Sequence, residues 1–201
     1  MSDMYDRQNR LELDTDKNIV VIGCGGIGWH VAKNLAMTGV TKITVFDDDV
    51  IEIHNLPRLD VPMTCLGKNK SSLLEKFVKQ MRPDANFTGY PFKFNPDLIN
   101  LDETDIIIDC TDRHDVQLEN LKIANDNEIQ YVKSGYDGNH ITISNTIPLW
   151  DVKPERTEGG YTIIPSFICP ASIVAALTVN KVLTNSSNEI SCNLTDLYIQ
   201  K

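Results

Sequence analysis

Short apolar runs alternate along the chain with amphipathic stretches, and this alternation is the main structural signal in the sequence. Asn18–Ile22, Lys42–Phe46 and residues 105–110 are predicted strands, and the last of them is almost wholly apolar at its centre, as a strand covered on both faces would be. The stretches between them repeat apolar residues at three- and four-residue spacing, which predicts helices. Strands and helices that alternate in this way are typical of an α/β fold with a parallel sheet.

The remaining elements follow from the same periodicity and from proline and glycine positions. The predicted helices are residues 28–38 with Gly39 as C-cap, residues 68–81 ended by Arg82-Pro83, residues 116–125, and residues 170–183. Beyond residue 125 the pattern changes to two β-rich runs, residues 129–134 and 140–146, joined by a turn at 136–139. A polar loop at 148–160 is expected to be mobile, and a last edge strand is predicted within 190–199. We therefore predict an α/β, Rossmann-like fold. It has a mostly parallel sheet with helices on both faces, followed by antiparallel β-runs.

Composition narrows the class of protein and its partners. The 201 residues, 41% of them hydrophobic, suit one domain spanning residues 1–201. The formal charge of −9 (19 Lys and Arg, 28 Asp and Glu) disfavours nucleic acid and anionic lipid as partners. No apolar run approaches the roughly 20 residues of a membrane span, and the first 16 residues are polar, so a cytoplasmic protein is expected. The five cysteines form no C-x-x-C pair, so we expect reduced thiols and neither zinc nor a redox motif.

A glycine-rich loop directly follows the first predicted strand. Gly23, Gly25, Gly26 and Gly28 fit the pattern G-x-G-x-x-G and lead into the first helix, whose free N–H groups favour an anionic phosphate. Asp47 follows Gly28 by 19 residues, at the end of the second strand, where a carboxylate accepts hydrogen bonds from ribose hydroxyls. This pattern predicts a nucleotide site. The alternative is a glycine turn that serves only close packing of helix on strand.

The residues after Asp47 favour a triphosphate over a nicotinamide dinucleotide. Asn55, Arg58 and Lys70 follow within two dozen residues, and fixed cations of this kind neutralise charge during adenylyl transfer. A dehydrogenase also needs a substrate region for which this chain leaves little length. The alternative for Arg58 and Lys70 is an ordinary exposed surface cation. The neighbouring Asp48 and Asp49 are interpreted as solvated loop acids.

Several motifs together resemble one family. The run from Val45-Phe46-Asp47 to Asn55-Leu56-Pro57-Arg58, then Gly67-x-x-Lys70, then Asp109-Cys110-Thr111-Asp112, is similar to the ubiquitin-activating-enzyme-like (ThiF/MoeB/HesA) adenylyltransferases. This resemblance implies an ATP-binding domain that uses Mg²⁺ to adenylylate a carboxylate. In that family the substrate is most often the C-terminal glycine of a ubiquitin-like or sulfur-carrier protein.

The resemblance also implies roles for individual residues. It assigns the four glycines to the phosphates and adenosine, Asp47 to the ribose, and Asn55, Arg58 and Lys70 to the phosphates. Asp112 matches the magnesium-linked aspartate. Arg7 matches an arginine that reaches the ATP of the partner subunit in a homodimer, as an arginine finger does, with Arg10 as the alternative because the segment before Gly23 is short.

Departures from the family pattern shape the remaining expectations. No cysteine lies within residues 141–168, where some members form a thioester, so that step is not expected. Cys169 is interpreted as a buried structural thiol, Cys24 and Cys110 as small packing residues, and Trp29 as a packing residue. The histidines are expected to be structural or solvent-facing; they are His30, His54, His114 and His140.

Four functions remain as alternatives. The first is adenylylation of a ubiquitin-like C-terminus, with the loop at 148–160 clamping the extended tail and the later β-runs as docking face. The second is adenylylation of a small-molecule carboxylate in cofactor biosynthesis, of the pyridinol type. The third is a non-catalytic nucleotide-binding scaffold, and the fourth an NAD-dependent oxidoreductase.

Overall fold

A computed structural model of the chain describes residues 4–147 and 165–197. Within these ranges the strands are β1 (Asn18–Ile22), β2 (Lys42–Phe46), β3 (Asn86–Tyr90), β4 (Ile106–Asp109), β5 (Gln130–Asp137), β6 (His140–Ser144) and β7 (Ile190–Asn193). The α-helices are α1 (Gly26–Met37), α2 (Lys70–Met81), α3 (His114–Asp126) and α4 (Ile168–Leu183). None of these described helices is long and apolar enough to cross a bilayer.

The strands form one sheet in the order β3-β2-β1-β4-β5-β6-β7. The pairs from β3 to β5 are parallel, whereas β6 and β7 are added antiparallel. The chain runs from β1 outward to β3 and then returns to the other side of β1 to form β4. This doubly wound order confirms the predicted α/β class and its antiparallel end.

Helices cover both faces of the sheet, as predicted. Ile19 and Val21 of β1 belong to the core that contains the side chains of α1, α2 and α4, whereas Val20 and Ile22 belong to a second core beneath α3. Successive side chains of a strand point to opposite faces, so a strand buried on both sides is apolar at every position. This explains why β1 and β4 were recognisable as continuous apolar runs.

The helices begin two residues before or after their predicted starts. β1 and β2 have the predicted bounds, but α1 begins at Gly26 because Gly25 is its extended N-cap. α2 begins at Lys70, two residues later than predicted, because the Asn69 side chain accepts a hydrogen bond from Ser72 N–H at 2.9 Å and caps the helix. α3 and α4 each begin two residues earlier than predicted.

The antiparallel region keeps its predicted order with different lengths. β5 continues to Asp137, and a two-residue turn at Gly138-Asn139 joins it to β6. Gly138 has a φ of 59°, which suits the tight turns of two-residue hairpins. The last edge strand ends at Asn193, followed by a short 3-10 helix, Leu194–Leu197. The predicted loop at 148–160 lies outside the described residues.

Strand β3 was not predicted. Its buried positions, Phe87 and Gly89, alternate with exposed or half-buried ones, but the run is short and half polar. A methyl group at Gly89 would lie 2.3 Å from the carbonyl oxygen of Ser71, so the first turn of α2 packs directly on the β3 backbone. Glycine, which weakens a strand pattern, is here the residue that permits this contact.

Candidate active site

The candidate site lies at the carboxyl ends of β1 and β4, where the chain leaves two neighbouring parallel strands in different directions. Open α/β sheets bind ligands at such a switch point. Gly23 follows β1 and has a φ of 88°, and its N–H donates to Phe46 O at 2.9 Å. A methyl group at Gly23 would lie 3.2 Å from the backbone of Cys110, which follows β4. The glycine loop and the Asp109–Asp112 turn are therefore immediate neighbours.

The glycines of the loop have different roles. A methyl group at Gly28 would lie 1.8 Å from the carbonyl oxygen of Gly23, so Gly28 is required for the first turn of α1 to pack on the loop. Gly25 differs, because its backbone is extended (φ −77°) and a methyl group there would meet no atom within 4 Å. Packing against the described residues thus explains why position 28 requires glycine. It does not require glycine at position 25, where the absent side chain leaves open space beside the N–H groups that begin α1.

Arg58 lies across the beginning of α1. A methyl group at Gly26 would be 3.0 Å from Arg58 Cδ and 3.2 Å from the Tyr136 hydroxyl, so these two side chains flank the glycine loop. Arg58 ends a short 3-10 helix, Ile53–Arg58, and its Nη1 donates to His54 O at 3.0 Å. Its backbone carbonyl accepts a hydrogen bond from His30 Nε2 at 3.1 Å, which fixes it to α1. The structure therefore places Arg58 beside the glycine loop, and its contact with phosphate stays a prediction.

Asp47 connects the end of β2 to the glycine loop. Its Oδ2 accepts a hydrogen bond from Cys24 N–H at 2.5 Å, and its Oδ1 accepts one from Asp49 N–H at 2.8 Å. Burial raises the pKa of this carboxyl above its ordinary value, although the nearby Lys70 charge opposes the shift. A carboxylate in this position has remaining lone pairs for the hydroxyls of a ribose.

Lys70 begins α2 and lies close to the same strand end. Its side chain is only 8% exposed, and its Nζ donates to Asp49 Oδ2 at 2.6 Å. Asn69 Nδ2 donates to the carbonyl oxygens of Asp47 and Asp49, both at 3.0 Å, so the start of α2 is fixed to the end of β2. Asp48 and Asp49 are exposed as expected, but Asp49 forms an ion pair that the sequence interpretation did not include.

Asn55 has a clear local role. It is buried, and its Oδ1 accepts a hydrogen bond from the Glu52 N–H at 3.0 Å, which completes a capping box at the start of the 3-10 helix. The contact positions the segment that carries Arg58. A direct contact of Asn55 with phosphate stays a prediction.

Asp112 is exposed, one residue beyond the Thr111 that adjoins Gly23. Within residues 4–147 and 165–197, no group of three or more His, Cys, Asp or Glu residues is arranged to hold a metal ion. Mg²⁺ at nucleotide sites is usually held by one or two carboxylates together with phosphate oxygens, rather than by a protein cage. A single exposed carboxylate at the edge of the switch point fits that requirement.

Arg7 lies far from the glycine loop of its own chain. The adjacent Gln8 donates from Nε2 to Thr38 O at 2.6 Å, and the Tyr5 ring lies against Gly39. Thr38 and Gly39 follow the C-terminal end of α1, and this 12-residue helix is about 18 Å long. The structure therefore does not bring Arg7 together with the other predicted site residues.

The cysteines and Trp29 give mixed outcomes. All five cysteines are free, and burial raises the pKa of Cys110 to about 12 and that of Cys24 well above its ordinary value, so both are inert packing residues as predicted. Trp29 is fully buried and donates from Nε1 to Asp60, which confirms its packing role. The prediction for Cys169 is wrong. It lies in the first turn of α4, one residue before the buried Pro170, and is exposed.

Sequence reasoning missed two residues near the site, Tyr136 and Lys133. Tyr136, whose hydroxyl is hydrogen-bonded to Ser166, reaches the glycine loop from β5. Lys133, on the same strand, is buried beneath the turn that carries Asp112. The available signal was a lysine inside a predicted strand whose other residues include Ile129, Tyr131 and Val132, since a buried charged group needs dedicated partners.

Fold and site together define a doubly wound α/β protein with a glycine-rich loop at the switch point of its sheet. The sequence pattern of the ThiF family matches residues 5–196, and the chain belongs to that family. This confirms the resemblance drawn from the motifs.

Individual relatives match part of the chain. It is 33% identical over 99 residues to the ATP-dependent ubiquitin transferase-like protein Cap2 of Enterobacter hormaechei, covering 47% of this chain and 16% of Cap2. It is 34% identical over 108 residues to the adenylyltransferase and sulfurtransferase MOCS3 of Xenopus laevis, covering 52% of this chain and 24% of MOCS3. The chain thus spans less than a third of the length of these relatives.

Among solved structures, the E. coli MccB complex with ATP has the same fold. The two superpose with a TM-score of 0.76 at 20% identity, covering 96% of this chain and 72% of MccB. At this level of identity the similarity concerns the fold.

Proposed function

We propose that the chain is an adenylyltransferase of the ThiF type that activates a carboxylate with ATP. One observation carries the proposal: Arg58 lies across the N-terminus of α1 while Asp47 accepts a hydrogen bond from the glycine loop behind it. A helix N-terminus with an adjacent cation suits phosphates, and a carboxylate beside it suits a ribose. The relatives' names, which include an adenylyltransferase, support the same activity.

In the proposed reaction a carboxylate oxygen of the substrate attacks the α-phosphorus of ATP. A new oxygen–phosphorus bond forms, and the bond to the bridging oxygen breaks. Pyrophosphate leaves with that electron pair, and an acyl-adenylate remains. The side chains need no covalent step, because holding the reactants and neutralising charge supplies most of the catalysis.

The residues divide this task between them. Gly25 leaves room for phosphates beside the α1 N-terminus, Arg58 and Lys70 neutralise their charge, and Asp47 binds the ribose. For Lys70 this requires exchange of its Asp49 partner for phosphate, and the exposure of Asp49 allows that carboxylate to turn into solvent. Asp112 would hold Mg²⁺, which when bound screens the triphosphate charge.

The proposed assembly is a homodimer in which Arg7 completes the site of the partner subunit. Its support is geometric, because Arg7 lies beside the C-terminal end of α1 whereas the glycine loop lies at the N-terminal end. An arginine supplied across an interface stabilises charge on phosphates in the manner of an arginine finger.

The carboxylate substrate defines two versions of the proposal. The C-terminus of a ubiquitin-like or sulfur-carrier protein is the first, supported by the names of Cap2 and MOCS3. A small-molecule carboxylate is the second, and a nucleotide-binding scaffold without catalysis is the outcome that both must exclude.

Exchange of labelled pyrophosphate into ATP separates these outcomes. We expect exchange that depends on a protein ending in Gly-Gly, and no exchange when that C-terminus is amidated. Exchange with a small acid alone would select the second version. Tight ATP binding without exchange, across carrier proteins and small acids, would contradict the enzymatic proposal.

A further inference from the structure

The turn that carries Asp112 is held by an unusually complete set of buried contacts. Asp109, the last residue of β4, is fully buried, and its Oδ1 accepts hydrogen bonds from Thr111 N–H at 2.9 Å and from Thr111 Oγ1 at 2.7 Å. Its Oδ2 accepts from Asn120 Nδ2 at 2.8 Å and from the Tyr131 hydroxyl at 3.0 Å. The carboxylate is thus fixed on both sides and in turn fixes the start of the turn.

The carbonyl of Thr111 is held from the other side by two buried donors. Gln117 of α3 donates from Nε2 at 2.9 Å, and Lys133 of β5 donates from Nζ at 2.9 Å. These residues are only 1% and 3% exposed, respectively. Thr111 therefore uses its N–H, hydroxyl and carbonyl within this arrangement, which we call the Thr111 clamp (Asp109, Gln117 and Lys133).

A lysine is a costly choice for such a position. A buried ammonium loses its hydration, and the second contact of Lys133 Nζ is another carbonyl, that of Ser134 at 3.1 Å. Neutral donors can hold a carbonyl at lower cost, as Gln117 does in the same contact. Lys133 lies opposite the buried Asp109 in the register of β5 on β4, and its Nζ holds the carbonyl of the residue that precedes Asp112, which points to a role at the site.

We propose that Lys133, together with Gln117, is a positioning residue that holds the Thr111 carbonyl and thereby sets the Asp112 carboxylate for magnesium and the triphosphate. The inference rests on the proposed function, in which Asp112 serves the metal. Residues that orient a metal-binding group typically change metal affinity by about 10- to 100-fold when they are removed.

The test is calorimetric titration of ATP into the 201-residue protein, once with MgCl₂ and once with EDTA. The ratio of the two affinities is the magnesium gain. Lys133→Met keeps the length of the side chain but removes the ammonium, and we expect it to reduce the gain by about tenfold or more while affinity in EDTA changes little.

Lys181 offers a matched control. It is also a buried lysine, and its Nζ also donates to two backbone carbonyls, those of Ser186 at 2.8 Å and Asn188 at 2.7 Å, at the C-terminal end of α4. Lys181→Met therefore removes the same chemistry away from the site. We expect it to lower thermal stability as Lys133→Met does while leaving the magnesium gain unchanged. An equal loss of the gain in both variants would overturn the proposal, because it would reflect general loosening of the fold.

A double-mutant comparison tests whether Lys133 acts through Asp112. In an Asp112→Asn background, which should already lack the gain, Lys133→Met is expected to have no further effect. A loss of ATP affinity in MgCl₂ but not in EDTA when Lys133→Met is added to Asp112→Asn would overturn the inference. A magnesium gain in the Lys133→Met single variant within about twofold of the parent's would overturn it as well.

Two remaining outcomes are also decisive. If Lys133→Met does not fold, Gln117→Met removes the other donor to the same carbonyl; a reduced magnesium gain then supports the clamp, and an unchanged one overturns it. If the parent binds ATP equally well with Mg²⁺ and with EDTA, the proposed magnesium role fails and the inference fails with it. If the parent shows the magnesium gain and the variants keep it, the inference is refuted while the proposed function stands.

Discussion

Gly25 and Gly28 make a matched pair with which to test whether the glycine loop binds a nucleotide or only packs. Gly25→Ala adds one methyl group at a position with extended backbone and no atom within 4 Å. Replacing glycine where alanine fits without strain stabilises a protein by about 0.4–1 kcal/mol, because the unfolded chain loses freedom. The structure thus predicts an unfolding temperature at or slightly above that of the parent.

Binding is expected to change in the opposite direction. If phosphate occupies the space beside Gly25, the methyl group overlaps it, and overpacking of this size costs about 1–3 kcal/mol. That cost corresponds to a loss of ATP affinity of about fivefold to more than a hundredfold. Calorimetric titration with ATP measures this loss, and a thermal melt of the same sample measures stability.

Gly28→Ala is expected to have the opposite profile. Its methyl group would lie 1.8 Å from the Gly23 carbonyl oxygen, so the backbone has to move and the variant loses stability first. Each kcal/mol lost should lower the unfolding temperature by about 2–4 °C in a chain of this size. If Gly25→Ala kept the parent's ATP affinity, the open side of the loop would not be the phosphate site, and the packing interpretation of the motif would stand.

Three further predictions address other parts of the site. Asp47→Ala should weaken ATP binding by about 1.5–3 kcal/mol. The loss of affinity on replacing ATP with 2′-deoxy-ATP should be smaller in the variant than in the parent, and equal losses would show that Asp47 does not bind the ribose. Burial lowers the pKa of His30 below 6.5, so the unfolded chain takes up the proton more readily and the folded state loses stability as the pH falls below 6.5. The unfolding temperature measured from about pH 7 to 5 should therefore fall less steeply for His30→Gln than for the parent, and an equal fall would contradict this. Mixing Arg7→Ala with Lys70→Ala subunits should restore about a quarter of the exchange activity, whereas no recovery despite proven subunit exchange would place Arg7 outside the partner's site.

The sequence was most informative where one physical cause dominates. β1 and β4 are buried on both faces and therefore appear as apolar runs, and the glycine loop and Asp47 occur at a spacing that the turn and the strand impose. For that reason β1 was located to the residue and β4 to within one residue at each end. Part of the site also follows from the order of elements, since the glycine loop and Asp47 come directly after strands and Lys70 begins a helix.

What the sequence could not supply is the partner of each polar group. Lys133 and Thr111 are 22 residues apart, and nothing in their local sequence indicates that a carbonyl would hold the ammonium. Asn55 looked like a phosphate ligand, yet its Oδ1 completes a cap. Cys169 was misjudged for a related reason, because its burial depends on how α4 lies against its neighbours and not on its own hydrophobicity.

The length of α1 constrains how two subunits can share a site. Contacts of Gln8 and Tyr5 fix the Arg7 segment to one end of α1, and the glycine loop lies at the other, about 18 Å away along the helix. A two-fold axis applies the same relation in both directions. If Arg7 serves the partner's ATP, the C-terminal end of each α1 must therefore approach the N-terminal end of the other. The two α1 helices would then run in opposite directions across the interface, and a single contact region would supply both sites with their arginine.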